Sequence, residues 1–221
     1  LKTREKILHT SLRLFNEDGE PNVTTVDIAN ELEISPGNLY YHFRGKELII
    51  EALYDQFDRE MVDILAAPVQ KNLSMQDAWF YLYVVFEHIY DYRFLYFNIT
   101  DIMHRYEKIQ RRFKRLIKMK QTTTKTICRD LVRHDILQFS TETEQDVLVS
   151  QIVLTALYWM NYNLLSDRMA RSPEILMHEG VFQITSLISS HLKPDKKQFV
   201  DECKSLYDDL IRQAAEKVRA N

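Results

Sequence analysis

Apolar residues recur at three- and four-residue spacing along nearly the whole chain, and no stretch alternates for long with period two. That pattern predicts an all-α protein of about nine or ten helices. The first is expected over residues 2–17, burying Ile7, Leu8, Leu12, Leu14 and Phe15 and stopping at Asp18-Gly19. Thr24 with Asp27 three residues on forms a capping box for a second helix that buries Val26, Ile28, Ala29 and Leu32. Ser35 caps a third, with Pro36 at its first position, where no amide donor is needed. From Lys46 a longer helix carries Leu48, Ile49, Ala52, Leu53, Phe57, Met61, Ile64 and Leu65 on one stripe and ends before Pro68. Helices follow at 74–90, 92–103 and 105–136, the last with Ile109, Phe113, Leu116, Ile127, Leu131 and Val132 facing inward. Residues 147–165 come after a Thr141/Glu144 cap and are apolar nearly all round, so that helix has to be covered on two sides. Ser172-Pro173 opens the next, and a final helix carries Phe199, Val200, Cys203, Leu206, Tyr207, Leu210 and Ile211.

The segment 24–47, TTVDIANELEISPGNLYYHFRGKE, holds two short helices joined by a tight turn. A second helix that opens on small residues can enter a DNA major groove by its N-terminus. Leu39 and Phe43, at i and i+4, anchor that helix to the core, which turns Asn38, Tyr41 and His42 to other faces. Tyr40 and Tyr41 can donate hydroxyls to phosphates, and His42 and Lys46 add donors at the helix end. Gly37 leaves room for close approach to base edges, and the Asn38 amide can pair bidentately with adenine. Packing alone would be the other use of such a cluster, but two Tyr and a His in succession cannot all face one core.

This stretch resembles the DNA-binding domain of TetR-family transcriptional regulators over about residues 3–55. Thr25, Ile28, Ala29, Ser35, Gly37, Leu39, Tyr40, Tyr41, His42, Phe43, Lys46 and Glu47 stand in the family pattern. The resemblance implies a double-stranded, pseudo-palindromic operator bound by a homodimer. Thr24 or Thr25, Tyr40, Tyr41, His42 and Lys46 would take phosphates, with Ser35 at the helix start and Gly37 and Asn38 nearest the bases. It also implies a division into a reading domain, 1–46, and a ligand-binding and dimerisation domain, 47–221, linked by the 46–66 helix.

Charge complicates this picture before it supports it. The formal net charge of −3, taken alone, argues against a nucleic-acid partner. Residues 1–60, however, hold 7 Lys/Arg against 12 Asp/Glu, a balance of −5, while residues 105–133 hold 11 against 2, a balance of +9. Within 1–46 the count is 6 basic to 7 acidic, so affinity has to rest on a few well-placed contacts. The basic 105–133 helix reads as a solvated face, with an anionic ligand or a second nucleic-acid surface as alternatives.

Residues 79–106 hold 11 of the 25 aromatics. An aromatic-lined pocket for an apolar or flat small molecule and an ordinary core both fit, and the candidate pocket residues are Phe57, Met61, Trp79, Tyr83, Phe86, Tyr90, Phe94, Phe97, Phe113 and Tyr158. The helices at 147–165 and 175–192 are candidates for a four-helix dimer bundle through Leu154, Leu157, Tyr158, Asn161, Phe182, Thr185 and Ile188, or else for a helix pair buried in one subunit.

Chemistry is sparse. Asp101/His104 and Glu174/His178 have metal-ligand spacing, but two unrelated pairs fall short of a helical metal site and read as chance. No phosphate loop or nucleophile elbow is present, so neither enzyme activity, metal nor cofactor is expected. Two cysteines 75 residues apart and no secretory leader point to a reducing cytoplasm, and no apolar run suits a membrane. The expected function is a ligand-responsive repressor released from its operator by a small hydrophobic effector. The alternative is a helical small-molecule-binding protein or enzyme with a vestigial helix-turn-helix.

Overall fold

The computed structural model describes residues 2–67, 75–198, 200, 201, 204, 205, 208, 209 and 212. The helices among them are α1 (Thr3–Leu14), α2 (Thr25–Glu31), α3 (Pro36–His42), α4 (Lys46–Ala66), α5 (Met75–Asp91), α6 (Arg93–Phe97), α7 (Ile99–Arg105), α8 (Glu107–Arg133), α9 (Glu142–Leu165) and α10 (Pro173–Ser189). No strand occurs among the described residues, only an isolated bridge between Leu137 and Leu192. The all-α expectation holds. None of these helices is long and apolar enough to cross a membrane.

Local chemistry starts the helices where the sequence signals it. Thr24 Oγ1 accepts from the Asp27 amide at 3.2 Å, Ser35 Oγ from Asn38 at 3.1 Å, Thr141 Oγ1 from Glu144 at 3.2 Å and Ser172 Oγ from Ile175 at 3.5 Å. Three boundaries differ from the pattern. α1 ends at Leu14 and a wider π turn, Phe15–Gly19, continues it to the positive φ of Gly19 (83°). The single helix expected over 92–103 breaks at Asn98 (φ −120°, ψ 32°) into α6 and α7. α8 stops at Arg133, ahead of Asp135 in the left-handed region. Val26, Leu48 and Val132, expected inside, are exposed, because neighbours such as Ile28, Ala29, Ile49 and Ile50 occupy the inward faces. The expected final helix is described in part: residues 198, 200, 201, 204, 205, 208, 209 and 212 are helical and Val200 is half-buried, while Phe199, Cys203, Leu206, Tyr207, Leu210 and Ile211 lie outside the described residues.

The chain divides into two compact units, the first formed by residues up to Val62 with Asp91–Leu116, the second by Asp63–Tyr90 with residues from Ile117 onward. In the first, Phe15 meets Phe94 at 5.4 Å between ring centroids, and Phe57 meets Tyr92 and Tyr96 at 5.6 and 5.9 Å. The Asn16 amide clamps this packing, donating to the Asp91 carbonyl at 2.7 Å and accepting from the Phe94 amide at 3.1 Å. The acidic and basic helices of the charge count partly neutralise each other here. Arg112 donates to Asp55 and, at 2.9 Å, to Asp58, Arg115 reaches Asp58 at 2.8 Å, and Lys108 pairs with Glu51 at 3.5 Å.

In the second unit α9 packs against α10. The Phe86 ring stands edge-on to Trp159 at 4.7 Å and lies directly over Gly180. Buried Glu179 takes Arg168 and Arg171, and Lys125 takes Glu142 and Asp146. Several α8 cations are therefore paired within the protein, while Lys108, Arg111, Arg115, Arg129 and Arg133 stay largely exposed to solvent.

Candidate nucleic-acid interface

α3 is seven residues long, and its two anchors are nearly closed to solvent, Leu39 at 2% and Phe43 at 3% exposure. Everything else on it faces out: Gly37 and Asn38 are exposed, as are Tyr40 at 60% and Tyr41 at 84%, while His42 is half-buried. Burying tyrosine rings is worth roughly 2 kcal/mol or more each, so two left in water on one short helix mark a surface shaped for something other than the protein's own core. The Tyr41 ring stands edge-on to His42 at 5.2 Å, which steadies both. At Gly37 an added Cβ would meet nothing nearer than Ser35 Oγ at 3.9 Å, so glycine here leaves a flat approach rather than relieving an internal clash.

The threonines and Ser35 divide their work. Thr24 Oγ1 accepts the Asp27 amide and donates to Asp27 Oδ2 at 2.6 Å, so its hydroxyl belongs to the cap of α2. That contact, the hydroxyl first and then the Thr24 amide, holds the Asp27 carboxyl below its ordinary range. Ser35 Oγ is committed to the cap of α3. Thr25 has no such engagement among the described residues, and it lines a surface depression with Thr24, Tyr40, Arg44 and the stem of Lys46.

Lys46 stands differently from the expectation of a free donor. Its Nζ donates to the Glu20 carbonyl at 2.7 Å and the Val23 carbonyl at 2.9 Å and pairs with Glu20 Oε1 at 3.0 Å. Glu20 is fully buried and takes Arg105 of α7 on its other side. Residue patterns of 24–47 do not disclose this, because Glu20 and Arg105 lie outside the motif. Arg44, exposed beside the same depression, is the residue that sequence reasoning passed over; its signal was a cation directly after the anchoring Phe43.

The other candidate sets are scattered. Phe57, Met61, Phe94 and Phe113 are buried in the core of the first unit and Phe97 is half-buried there, while Trp79, Tyr83, Phe86, Tyr90 and Tyr158 belong to the second. Of these ten, Trp79 lines a cavity of about 60 Å³ within the second unit, walled by Tyr81, Leu82, Cys128, Ile152 and Ile184. Tyr83 lies off the cavity wall, stacked on Trp79 at 5.7 Å, and both rings meet His178 at 5.1 Å. Burial pushes the Cys128 thiol up to about 12 and lowers His178 from its ordinary value. Leu154 and Tyr158 stand exposed on α9 in line with Val147, Tyr162 and Leu165, with Leu157 and Asn161 half-buried alongside and Phe182 half-buried on α10. Thr185 and Ile188 instead line the cavity. Asp101 is paired with Arg105, His104 with the Thr100 carbonyl, and no group of three metal-ligand side chains gathers among the described residues.

Two family models match, bacterial regulatory proteins of the tetR family over residues 7–53 and a bacterial transcriptional repressor model named TetR over residues 56–200. A TetR-family transcriptional regulator from Marinobacter aquaeolei VT8 superposes with a TM-score of 0.85 at 29% identity, covering 94% of this chain and 99% of that one. The negative regulator of the icaADBC biofilm operon, IcaR of Staphylococcus epidermidis, is 27% identical over 106 residues, 48% of this chain and 50% of its own. UidR, a helix-turn-helix transcriptional regulator of Escherichia coli K12, is 32% identical over 68 residues, 31% of this chain and 35% of its own. The matched stretch thus spans half or less of the length of these two relatives. With an outward-facing recognition helix on an all-α frame, and both parts of the chain matched in order, this protein belongs to the TetR family of bacterial transcriptional regulators, which are DNA-binding proteins and not enzymes.

Proposed function

We propose that the protein is a homodimeric repressor that holds a pseudo-palindromic operator and leaves it when a small apolar effector binds. The observation that carries the DNA reading is the solvent-facing row Gly37, Asn38, Tyr40 and Tyr41 on a helix anchored by Leu39 and Phe43. Thr25, Tyr40, Tyr41 and His42 take phosphates, and Gly37 and Asn38 approach the bases. Thr24 and Ser35 act by fixing the two helix starts. Repression is favoured by the likeness to IcaR, itself described as a negative regulator.

Dimerisation rests on the apolar row Leu154, Tyr158, Tyr162 and Leu165 of α9, exposed at 57%, 45%, 54% and 84%. A second copy of the same row covers it by two-fold symmetry, and a two-fold symmetric operator then asks for recognition helices about 34–36 Å apart, one turn of DNA. The effector site is the cavity beside Trp79 and Cys128. At about 60 Å³ it is far smaller than the roughly 300 Å³ at which small-molecule sites begin, so the effector has to push its walls apart. That demand links binding to a change of shape, and a near-complete switch needs about 5.5 kcal/mol of preference for the released state.

Selection of genomic DNA fragments on the purified protein, repeated with small apolar compounds, tests this reading. Recovery of a two-fold symmetric duplex that one compound releases is the expected result. Retention of all fragments alike would refute the operator, and a monomer at micromolar concentration in size-exclusion chromatography would refute the α9 interface.

A further inference from the structure

Residues 2–46 hold six cations, Lys2, Arg4, Lys6, Arg13, Arg44 and Lys46, and the structure has already committed several of them. Arg13 bridges Glu17 at 2.8 Å and Glu31. Arg4 lies over the Phe43 ring, 4.8 Å from its centroid. Lys46 has three protons and three close acceptors, two carbonyls and the Glu20 carboxylate. Drawing that ammonium out to a phosphate would strip a partner from a carboxylate closed to solvent and leave two carbonyls without this donor, and each change carries a desolvation cost.

Arg44 is in the opposite situation. It is exposed, and among the described residues it makes no hydrogen bond, ion pair or ring contact. It follows directly on Phe43, whose extended backbone (φ −139°, ψ 112°) ends α3, and it lines the depression that Thr25 and Tyr40 share. A planar guanidinium with a free fork is well suited to a phosphate's paired oxygens, and here it stands beside two hydroxyl donors.

We propose that Arg44, not Lys46, is the cation that neutralises an operator phosphate at this edge of the reading head, with Lys46 a positioning residue that ties the 20–23 turn to the start of α4. This rests on the DNA-binding reading above. Nothing on the motif itself distinguishes the two cations, which stand two residues apart; only the buried Glu20 does.

The test is the salt dependence of binding to the duplex recovered in the genomic selection, measured by fluorescence anisotropy on the full chain. Removing the cation that neutralises one phosphate flattens the slope of log K against log salt by about 0.9. Arg44→Gln is expected to flatten it by about that amount per subunit and to weaken binding to every sequence alike, while Arg44→Lys keeps the slope. Lys46→Met is expected to lower the unfolding midpoint and to keep the wild-type slope at temperatures where it is folded. A wild-type slope in Arg44→Gln, or a flattened one in folded Lys46→Met, overturns the proposal. Should Lys46→Met not fold, the exposed Arg44→Gln variant decides alone. If the wild type itself binds no duplex in a salt-dependent way, the DNA reading fails instead.

Discussion

Replacing Gly180 with alanine sets two principles against each other in the middle of α10. Helix propensity alone favours alanine by up to about 1 kcal/mol. Yet a Cβ built at Gly180 would lie 2.8 Å from both Cδ1 and Cε1 of Phe86 and 3.0 Å from its Cγ, well inside the ordinary carbon–carbon separation of about 3.5–4.0 Å. Phe86 is closed to solvent and backed by the Trp159 ring at 4.7 Å, so it cannot simply swing aside. Overpacking of this kind costs about 1–3 kcal/mol, which at least offsets propensity and leaves a net loss of about 0–2. For a chain of this length each kcal/mol moves the midpoint by about 2–4 °C, so Gly180→Ala should gain nothing from helix propensity and melt up to about 8 °C early by circular dichroism. Phe86→Leu supplies the control, because a smaller side chain in that place should absorb much of the cost and make the double variant less than additive. A higher Tm in Gly180→Ala would refute the reasoning, as would strict additivity with Phe86→Leu.

Three further outcomes follow from local environments. Thr24→Ala removes the α2 cap and should cost about 1 kcal/mol in urea unfolding at neutral pH. Because the folded Asp27 carboxyl is held low by Thr24, the wild-type advantage should be present above the ordinary carboxylate range and shrink as pH falls through the folded value; a constant difference down to strong acid would argue against it. With the thiol of Cys128 pushed up to about 12, a Cys203→Ser variant should leave it unreactive toward a disulfide reagent at pH 8 until the protein unfolds, and prompt native-state labelling would contradict its burial. Burial lowers the Lys120 ammonium from 10.5 to about 8, so the unfolded chain holds that proton more tightly between these values and this group's contribution to stability rises with pH across the window. Lys120→Met should show a smaller rise from pH 8 to 10 than wild type, and equal slopes would remove Lys120 as the cause.

What could be read from the sequence is what a residue decides with its near neighbours. Thr24, Ser35, Thr141 and Ser172 cap helices through amides three residues away, so the helix starts were legible, and the i, i+4 anchors Leu39 and Phe43 made the outward row of α3 legible with them. The tertiary structure decided whatever depends on a distant segment. Glu20 meets Lys46 and Arg105, Asp58 meets Arg112 and Arg115, and Asn16 meets Asp91 and Phe94, all from parts of the chain far apart in sequence. A motif could name Lys46 as a donor but not reveal that its protons were already taken. The aromatics followed the same division: composition counted them, but only the packing of other helices against them separated Phe57 and Phe94 in a core from Trp79 on a cavity wall. A capping hydroxyl reaches one turn, whereas a long cation or a large ring takes its role from whichever segment folding brings to it, and no local pattern carries that information.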